Sequence, residues 1–285
     1  MHEFEEDDFA MTERTTGSGA GKDPEPPTGV RPDRPSEAGR GRPGGPHPGI
    51  LATVSLGILL LSLLLAGLLS GGRVFVSPFA PAAEVARFYR ENVAGVRIAG
   101  MLQFGSAVPL GIFAATVYAR ALRLGVKVPG PAIGYFGGIA AAVFLMFSGL
   151  VTWLLSRPEI TADQTLAHAL AFLAFATGGV GFVVGLGVLV AGMAVPALIL
   201  RFIPRWLAWT GLVIAALSEL SFLSLAVEPL QFLLPIGRFG GMLWLIAAGF
   251  MLPVNRAAAN GDPGQGALGR RPTDAAGKAG RQVQP

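Results

Sequence analysis

Two ionisable side chains, Glu219 and Arg238, lie inside long apolar stretches of this sequence. A charge at the centre of a bilayer costs about 2.5 to 3.5 kcal/mol on insertion scales, so such residues usually pair with each other or line a wet cavity. Counted at 1.5 Å per residue from the nearer end of its stretch, Glu219 lies about 13 Å deep and Arg238 about 10 Å deep. The matching depths predict an ion pair or a polar pocket.

Further polar side chains occur in the same predicted outer half of neighbouring stretches. They are Gln103, Ser148, Thr152, Ser218 and Ser221, while His168 lies at the outer edge of its own stretch. The candidate site is therefore Glu219, Arg238, Gln103, His168 and Thr152, outlining a pocket that opens outward. The alternative interpretation is structural, with one ion pair and scattered hydrogen bonds between helices.

Residues that enzyme chemistry needs are scarce. The chain has no Cys, which excludes thiolate metal sites, disulfides and lipidated thiols. Its three histidines, His2, His47 and His168, include no pair four residues apart and no flanking nucleophile elbow. Residues 17–22 resemble a phosphate-binding loop, but positions 16 and 23 do not hold the residues that the motif requires there. The sequence predicts a protein that is not an enzyme and holds no cofactor or metal.

Composition indicates the environment of the chain. Of its 285 residues, 52 % are hydrophobic and 14 % are charged, whereas soluble domains carry about 25 % charge. Six stretches are long and apolar enough to cross a bilayer as helices, at 50–70, 98–118, 132–155, 169–191, 206–227 and 231–254. The predicted fold is all-α, a polytopic membrane bundle of six transmembrane helices.

The predicted domains are a tail at 1–49, the bundle at 50–254 and a second tail at 255–285. The first tail is acidic and then rich in Pro, Gly and Arg, and both tails are expected to be disordered because they offer little apolar surface to bury. An amphipathic segment near 78–96 follows the first span. It is expected either to lie on the outer membrane surface or to act as a lid over the pocket.

The fourth stretch is the hardest to assign, because residues 166–200 would form a helix of about 52 Å. We predict one span, with flexing at Gly178 and Gly179 and a bend at Pro196. Small-residue pairs, Gly181 with Gly185 and residue 134 with residue 138, predict close helix packing within the chain. The alternative for these pairs is a homo-oligomer interface.

Lys and Arg residues set the predicted orientation. Fourteen of those near the spans fall on one side and five on the other, with Arg238 set aside. This asymmetry predicts cytoplasmic N- and C-termini. The basic residues flank apolar segments and form no stripe on a soluble face, so the expected partner is the lipid bilayer and no nucleic acid is expected.

Four segments resemble a group of uncharacterised six-span membrane proteins of high-GC Gram-positive bacteria. They are FGSAVPLGIFAATV at 104–117, SGLVTWLLSR at 148–157, PRWLAWTG at 204–211 and FLLPIGRFGGMLW at 232–244. The resemblance covers about residues 80 to 255 and neither tail. It implies a helical bundle in a bacterial plasma membrane, in a domain-of-unknown-function family with no established catalytic residues.

Two functions compete at this stage. The first is a non-enzymatic scaffold, sensor or accessory protein whose N-terminal tail meets a cytoplasmic protein partner. The second is a transporter or binder of a small molecule that uses the polar cluster around Glu219 and Arg238. An enzyme acting on lipid lacks a recognisable nucleophile, metal-ligand spacing or phosphate loop.

The orientation is testable with single cysteines at Ser77, Asp163, Thr16 and Gly277 and an impermeant thiol reagent. Positions 77 and 163 should react in intact cells, and positions 16 and 277 only after lysis, because the basic side of the bundle is retained in the cytoplasm. Labelling of position 277 in intact cells would contradict an even number of spans.

Overall fold

The computed structural model describes residues 45–73 and 75–253, so the predictions for the tails at 1–44 and 254–285 concern residues outside this part. The described chain is all-α, without strands. Six helical stretches within it are long and apolar enough to cross a membrane: Pro48–Leu69, Val93–Arg123, Gly130–Leu154, Gln164–Leu200, Arg205–Leu225 and Glu228–Met251. The predicted fold class is confirmed.

Nine α-helices make up these stretches and the segments between them, counting only the described residues. They are α1 (Pro48–Leu69), α2 (Ala82–Glu91), α3 (Val93–Arg123), α4 (Gly130–Leu154), α5 (Pro158–Thr161), α6 (Gln164–Phe175), α7 (Phe182–Leu200), α8 (Arg205–Leu220) and α9 (Leu233–Met251). A π-helical turn, Ala176–Gly181, joins α6 to α7, and two 3-10 turns, Ser221–Leu225 and Glu228–Phe232, join α8 to α9.

Several helix ends follow directly from local sequence. Pro48 opens α1 at a position where the missing N–H costs nothing. The Asp163 carboxylate accepts from Thr165 N at 2.8 Å and Leu166 N at 3.2 Å, which satisfies two free N–H groups at the start of α6. Helix α7 ends at Arg201, whose left-handed backbone (φ 55°) stops the helix.

Glycine allows the spanning helices to approach closely. A Cβ added at Gly100 of α3 would lie 2.7 Å from the Gly149 carbonyl oxygen of α4. One added at Gly185 of α7 would lie 2.7 Å from Ala141 N of α4, and Gly249 of α9 meets Gly49 of α1 in the same way. Such contact supplies packing energy in lipid, where the hydrophobic effect does not hold helices together.

The predicted small-residue pairs therefore meet partners in their own chain. A Cβ at Gly134 would lie 3.3 Å from Gly192 Cα, one at Gly181 2.9 Å from the Phe144 ring, and one at Gly138 3.3 Å from the Leu189 side chain. Packing within the chain accounts for these faces. A homo-oligomer stays a prediction, and it would have to use other surfaces.

Helices α2, α5 and the first turns of α6 form a layer over one end of the bundle, which we call the α2 end. Val85 and Ala86 of α2 are fully buried in a cluster with Leu155, Ala167 and Ala171. Arg90 Nη1 also donates to the Thr161 carbonyl at 2.9 Å. This face of α2 therefore packs on protein, whereas a helix lying on the membrane surface would turn it towards lipid.

The second and fourth spans are longer than predicted. Helix α3 begins at Val93, so Val93 and Val96 belong to a spanning helix and the amphipathic helix ends at Glu91. The fourth span includes the π-helical turn at Gly178 and Gly179, where flexing is predicted, but it continues as helix through Pro196 to Leu200. Its extra length is used at the α2 end, where α6 packs against α2.

Replacing Gly192 of α7 by Ala should destabilise the bundle. The new Cβ would lie 2.7 Å from the Gly130 carbonyl oxygen and even closer to the Gly134 backbone, and rigid backbone cannot yield as a flexible side chain does. Overpacking of this kind costs about 1 to 3 kcal/mol. Thermal unfolding in detergent should show a lower midpoint.

The matched control is Gly105→Ala on α3, where an added Cβ meets no atom within 4 Å. It should leave the midpoint unchanged or raise it, because Ala favours a helix by about 1 kcal/mol over Gly. Equal midpoints for the two variants would contradict the close approach of α4 and α7.

Candidate functional site

A cavity of about 610 Å³ lies at the α2 end of the bundle. Its walls come from the second half of α1, the first half of α3, the end of α4, the π-helical turn and the start of α9, and α2 contributes Phe88 and Tyr89. Most of the lining is apolar. Pockets for small molecules have this size and character, with a few polar groups that fix orientation.

A chain of hydrogen bonds crosses one wall of the cavity. Gln103 Nε2 of α3 donates to Ser148 Oγ of α4 at 2.9 Å, and Ser148 Oγ donates to the Ala174 carbonyl of α6 at 2.9 Å. Thr152 lies one turn beyond Ser148 on α4 and also lines the cavity. These bonds join α3, α4 and α6, and they give each polar group a partner that apolar packing could not supply.

Arg238 is the only charged side chain in the lining, within the part of the chain that the structure describes. Its Nη2 donates to the Gly178 carbonyl, and its guanidinium carbon lies 5.3 Å from the centre of the Phe182 ring. Both contacts suit a cation in a medium of low dielectric constant. Neither contact is to a carboxylate, and among the described residues no carboxylate lies within 4.0 Å of the guanidinium.

The π-helical turn places the Gly178 carbonyl within reach of Arg238. A π turn widens the helix and disturbs the regular hydrogen-bond pattern, and such turns are frequent at functional sites. Glycine is required at this position because an added Cβ would lie 2.8 Å from Ser148 Cβ and 3.1 Å from Gln103 Nε2. The turn, the hydrogen-bond chain and Arg238 therefore meet at Gly178.

The mouth of the cavity is closed in part by the α2 end layer. Phe88 and Tyr89 lie in the lining, so α2 borders the cavity, and a lid role for the amphipathic segment stays a prediction. Burial raises the pKa of the Tyr89 phenol from its ordinary value to about 12, and the phenol is neutral at physiological pH with either value. Tyr89 therefore presents an uncharged aromatic surface to whatever occupies the mouth.

His168 supports the rim of the cavity without lining it. Its Nε2 lies 2.7 Å from the carbonyl oxygen of Pro78, a lining residue, and its ring packs at 5.0 Å from that of Phe172. The predicted place of His168 in the pocket is therefore wrong, because its ring lies beside the cavity, hydrogen-bonded to the segment before α2. His168 holds the segment before α2 against α6.

The predicted ion pair between Glu219 and Arg238 is wrong. Among the described residues, the only ion pair within 4.0 Å joins Arg157 Nε to Glu159 Oε2 at 3.8 Å. Glu219 Oε1 instead lies beside Gly187 of α7, where it is buried and makes no hydrogen bond to the described residues. Glu219 is also absent from the cavity lining.

The two side chains reach different levels of the fourth span. Ser218 of α8 and Gly237 of α9 face each other, since a Cβ at Gly237 would lie 2.7 Å from Ser218 Oγ, so Glu219 and Arg238 leave their helices at a similar level. Arg238 contacts Gly178 and Phe182, whereas Glu219 Oε1 lies beside Gly187 of the same span. At 1.5 Å per residue, Gly187 is about 7 Å from Phe182 and about 13 Å from Gly178 along the helix axis.

Of the five predicted site residues, the structure brings Gln103, Thr152 and Arg238 to the cavity and leaves Glu219 and His168 outside it. Ser62 of α1, Ser70 just after α1 and Gln231 before α9 also line the cavity and were not predicted. Serine inside an apolar helix gives a weak signal, because its hydroxyl often bonds to a carbonyl of its own helix. Ser62 Oγ bonds instead to another helix, to the Ala99 carbonyl of α3 at 3.1 Å.

Comparison with protein-family models, with curated proteins and with solved structures gives no match. The resemblance to a six-span family of high-GC bacteria therefore stays a prediction. No group of three or more potential metal ligands occurs in the described part of the chain. The function must be argued from the cavity.

Independence of Glu219 and Arg238 is testable with a double-mutant cycle. Glu219→Ala and Arg238→Ala should change the free energy of unfolding additively, within about 0.5 kcal/mol, because the two side chains share no partner. Unfolding is measured in detergent for both single variants and the double variant.

A second cycle on Gln103→Ala and Ser148→Ala provides the positive control. These side chains are hydrogen-bonded, so a coupling of about 0.5 to 3 kcal/mol is expected. Coupling of that size between Glu219 and Arg238 would contradict their independence and support an ion pair between them.

Proposed function

We propose that this chain is a non-enzymatic, multi-pass membrane protein that binds a small, largely apolar molecule in the cavity at the α2 end. The observation that carries the proposal is the cavity itself: about 610 Å³, mainly apolar walls, and polar groups gathered around Gly178. A volume of about 300 to 1,000 Å³ with few polar groups is typical of small-molecule sites.

The arrangement of polar groups favours a binder over a scaffold. In a purely structural bundle, intramembrane polar side chains bond to neighbouring helices wherever they occur. Here Gln103, Ser148, Thr152 and Arg238 come from three different spans and line one space. The scaffold hypothesis depends on a partner of the N-terminal tail, and residues 1–44 lie outside the described part.

In this proposal the α2 end faces the outside of a bacterial plasma membrane and both termini are cytoplasmic. Two observations support the orientation. Arg120 and Arg123 lie at the opposite end of α3, on the side richer in basic residues. Trp206 and Trp209 are exposed at that same side, at the start of α8, as aromatic residues at a membrane interface usually are.

Photolabelling tests whether the cavity binds such molecules. A long-chain alcohol and the matching long-chain carboxylate, each bearing a diazirine, are activated on the purified chain, and labelled peptides are mapped by mass spectrometry. At least one probe should label cavity-lining peptides, and an excess of the unlabelled compound should compete. Ala174→Phe, at a partly buried lining position, should remove most of this labelling by filling the space.

Ala115→Phe is the matched control, because residue 115 is exposed on α3 and outside the cavity lining. It adds the same side chain and should leave cavity labelling unchanged. Labelling confined to bundle surfaces, or unaffected by competitor and by Ala174→Phe with both probes, would overturn the proposed function.

A further inference from the structure

The uncompensated charge of Arg238 identifies the chemical class of the ligand. We infer that the cavity binds a single-chain amphiphile with one negative charge, a long-chain carboxylate, whose carboxylate pairs with Arg238 while its chain fills the apolar walls. This inference rests on the proposed function and specifies its ligand.

Charge balance comes first. The described lining contains one cation, Arg238, and no Asp or Glu. A carbonyl and a ring face contact the guanidinium, but they carry no net charge to neutralise it. A buried charge is costly unless it is paired. A monoanion restores neutrality, whereas a phosphate monoester, which carries about −1.5 to −2 at pH 7, would leave excess negative charge.

Donor geometry also suits a carboxylate. Arg238 uses Nη2 on the Gly178 carbonyl, and the guanidinium has further N–H donors in its planar fork. Gln103 Nε2 lies 3.1 Å from the position of a Cβ at Gly178 and uses one of its two N–H groups on Ser148 Oγ. Two donor groups, from α3 and α9, therefore lie beside the same turn and both line the cavity.

The remaining surface suits a hydrocarbon chain. Leu63, Phe75, Val76, Phe88 and Phe175 supply apolar lining of the cavity. Helices α1 and α9 touch at the opposite end of the bundle, through Gly49 and Gly249, whereas at the α2 end the cavity is lined by both. A chain lying there contacts carbon on several sides, which favours it over a compact polar anion.

The test compares two probes on the unmodified protein. Radiolabelled oleate and oleyl alcohol share one hydrocarbon chain and differ in charge, and their binding in detergent is measured by scintillation proximity. Oleate should bind about 10- to 100-fold more tightly, as expected for a charge-assisted hydrogen bond out of water. This comparison needs no variant, so it is valid whether or not Arg238 can be replaced.

Variants then assign the difference to Arg238. Arg238→Gln should reduce the affinity for oleate to that for oleyl alcohol and leave the alcohol within about twofold, because the lost contact is with the carboxylate alone. Arg238→Lys, which keeps the charge but loses the fork, should retain part of the preference. Arg157→Gln, at an exposed arginine outside the lining, is the control and should change neither affinity.

The outcomes separate this inference from the proposed function. If oleate and oleyl alcohol bind with equal affinity, and Ala174→Phe prevents the binding of both, the inference of a carboxylate ligand is wrong and the cavity binds neutral apolar molecules. Tighter binding of dodecyl phosphate than of dodecanoate would contradict the inference that the ligand carries a single negative charge. Failure of every probe to bind the cavity would overturn the proposed function and this inference together.

Discussion

The α2 end of the bundle depends on how one guanidinium is satisfied within the membrane-spanning region. Arg238 donates to the Gly178 carbonyl, and that carbonyl belongs to a π-helical turn of the longest span. The turn accepts no side chain at residue 178, because Ser148 and Gln103 occupy the adjacent space. The guanidinium of Arg238 therefore needs the Gly178 carbonyl as an acceptor. That carbonyl belongs to the widened π-helical turn, which has room only for glycine at residue 178. Each step follows from the cost of leaving a buried polar group without a partner.

Close packing and open space in this bundle have a common cause. Glycines bring α3 to α4, α4 to α7 and α1 to α9 so closely that backbone meets backbone. Between α1 and α9 a contact of this kind occurs at Gly49 and Gly249, at the end opposite α2. Towards the α2 end, larger side chains such as Leu59 and Phe239 face the space between helices, and this space is the cavity. The α2 layer then covers this space with aromatic side chains.

Composition and hydrophobic length were sufficient to predict the six-span fold, because a bilayer sets the length of every apolar helix. They also predicted that Glu219 and Arg238 occupy a similar level of neighbouring helices, and the irregularity at Gly178 and Gly179. Rotation was not predictable in the same way. Apolar residues surround each spanning helix, so no hydrophobic stripe shows which side faces the protein. Position along a helix also does not show which way a long side chain extends: Arg238 reaches Gly178 and Glu219 lies beside Gly187 of the same span, and the ion pair was wrong for this reason. Ser62 and Gln231 were missed because single polar residues carry no orientation signal.

The separation of Glu219 from Arg238 determines what the cavity can hold. Had the two paired, the polar groups around Gly178 would form a neutral, closed network with little reason to attract a charged ligand. Instead the carboxylate lies against Gly187 on another face of the fourth span, and the guanidinium keeps its charge beside an apolar space. In a medium of low dielectric constant that charge acts strongly on anything entering the cavity. In the role we propose, an apolar cavity whose described lining holds one cation and no carboxylate would select both for hydrocarbon and for a single negative charge, and a long-chain carboxylate has both.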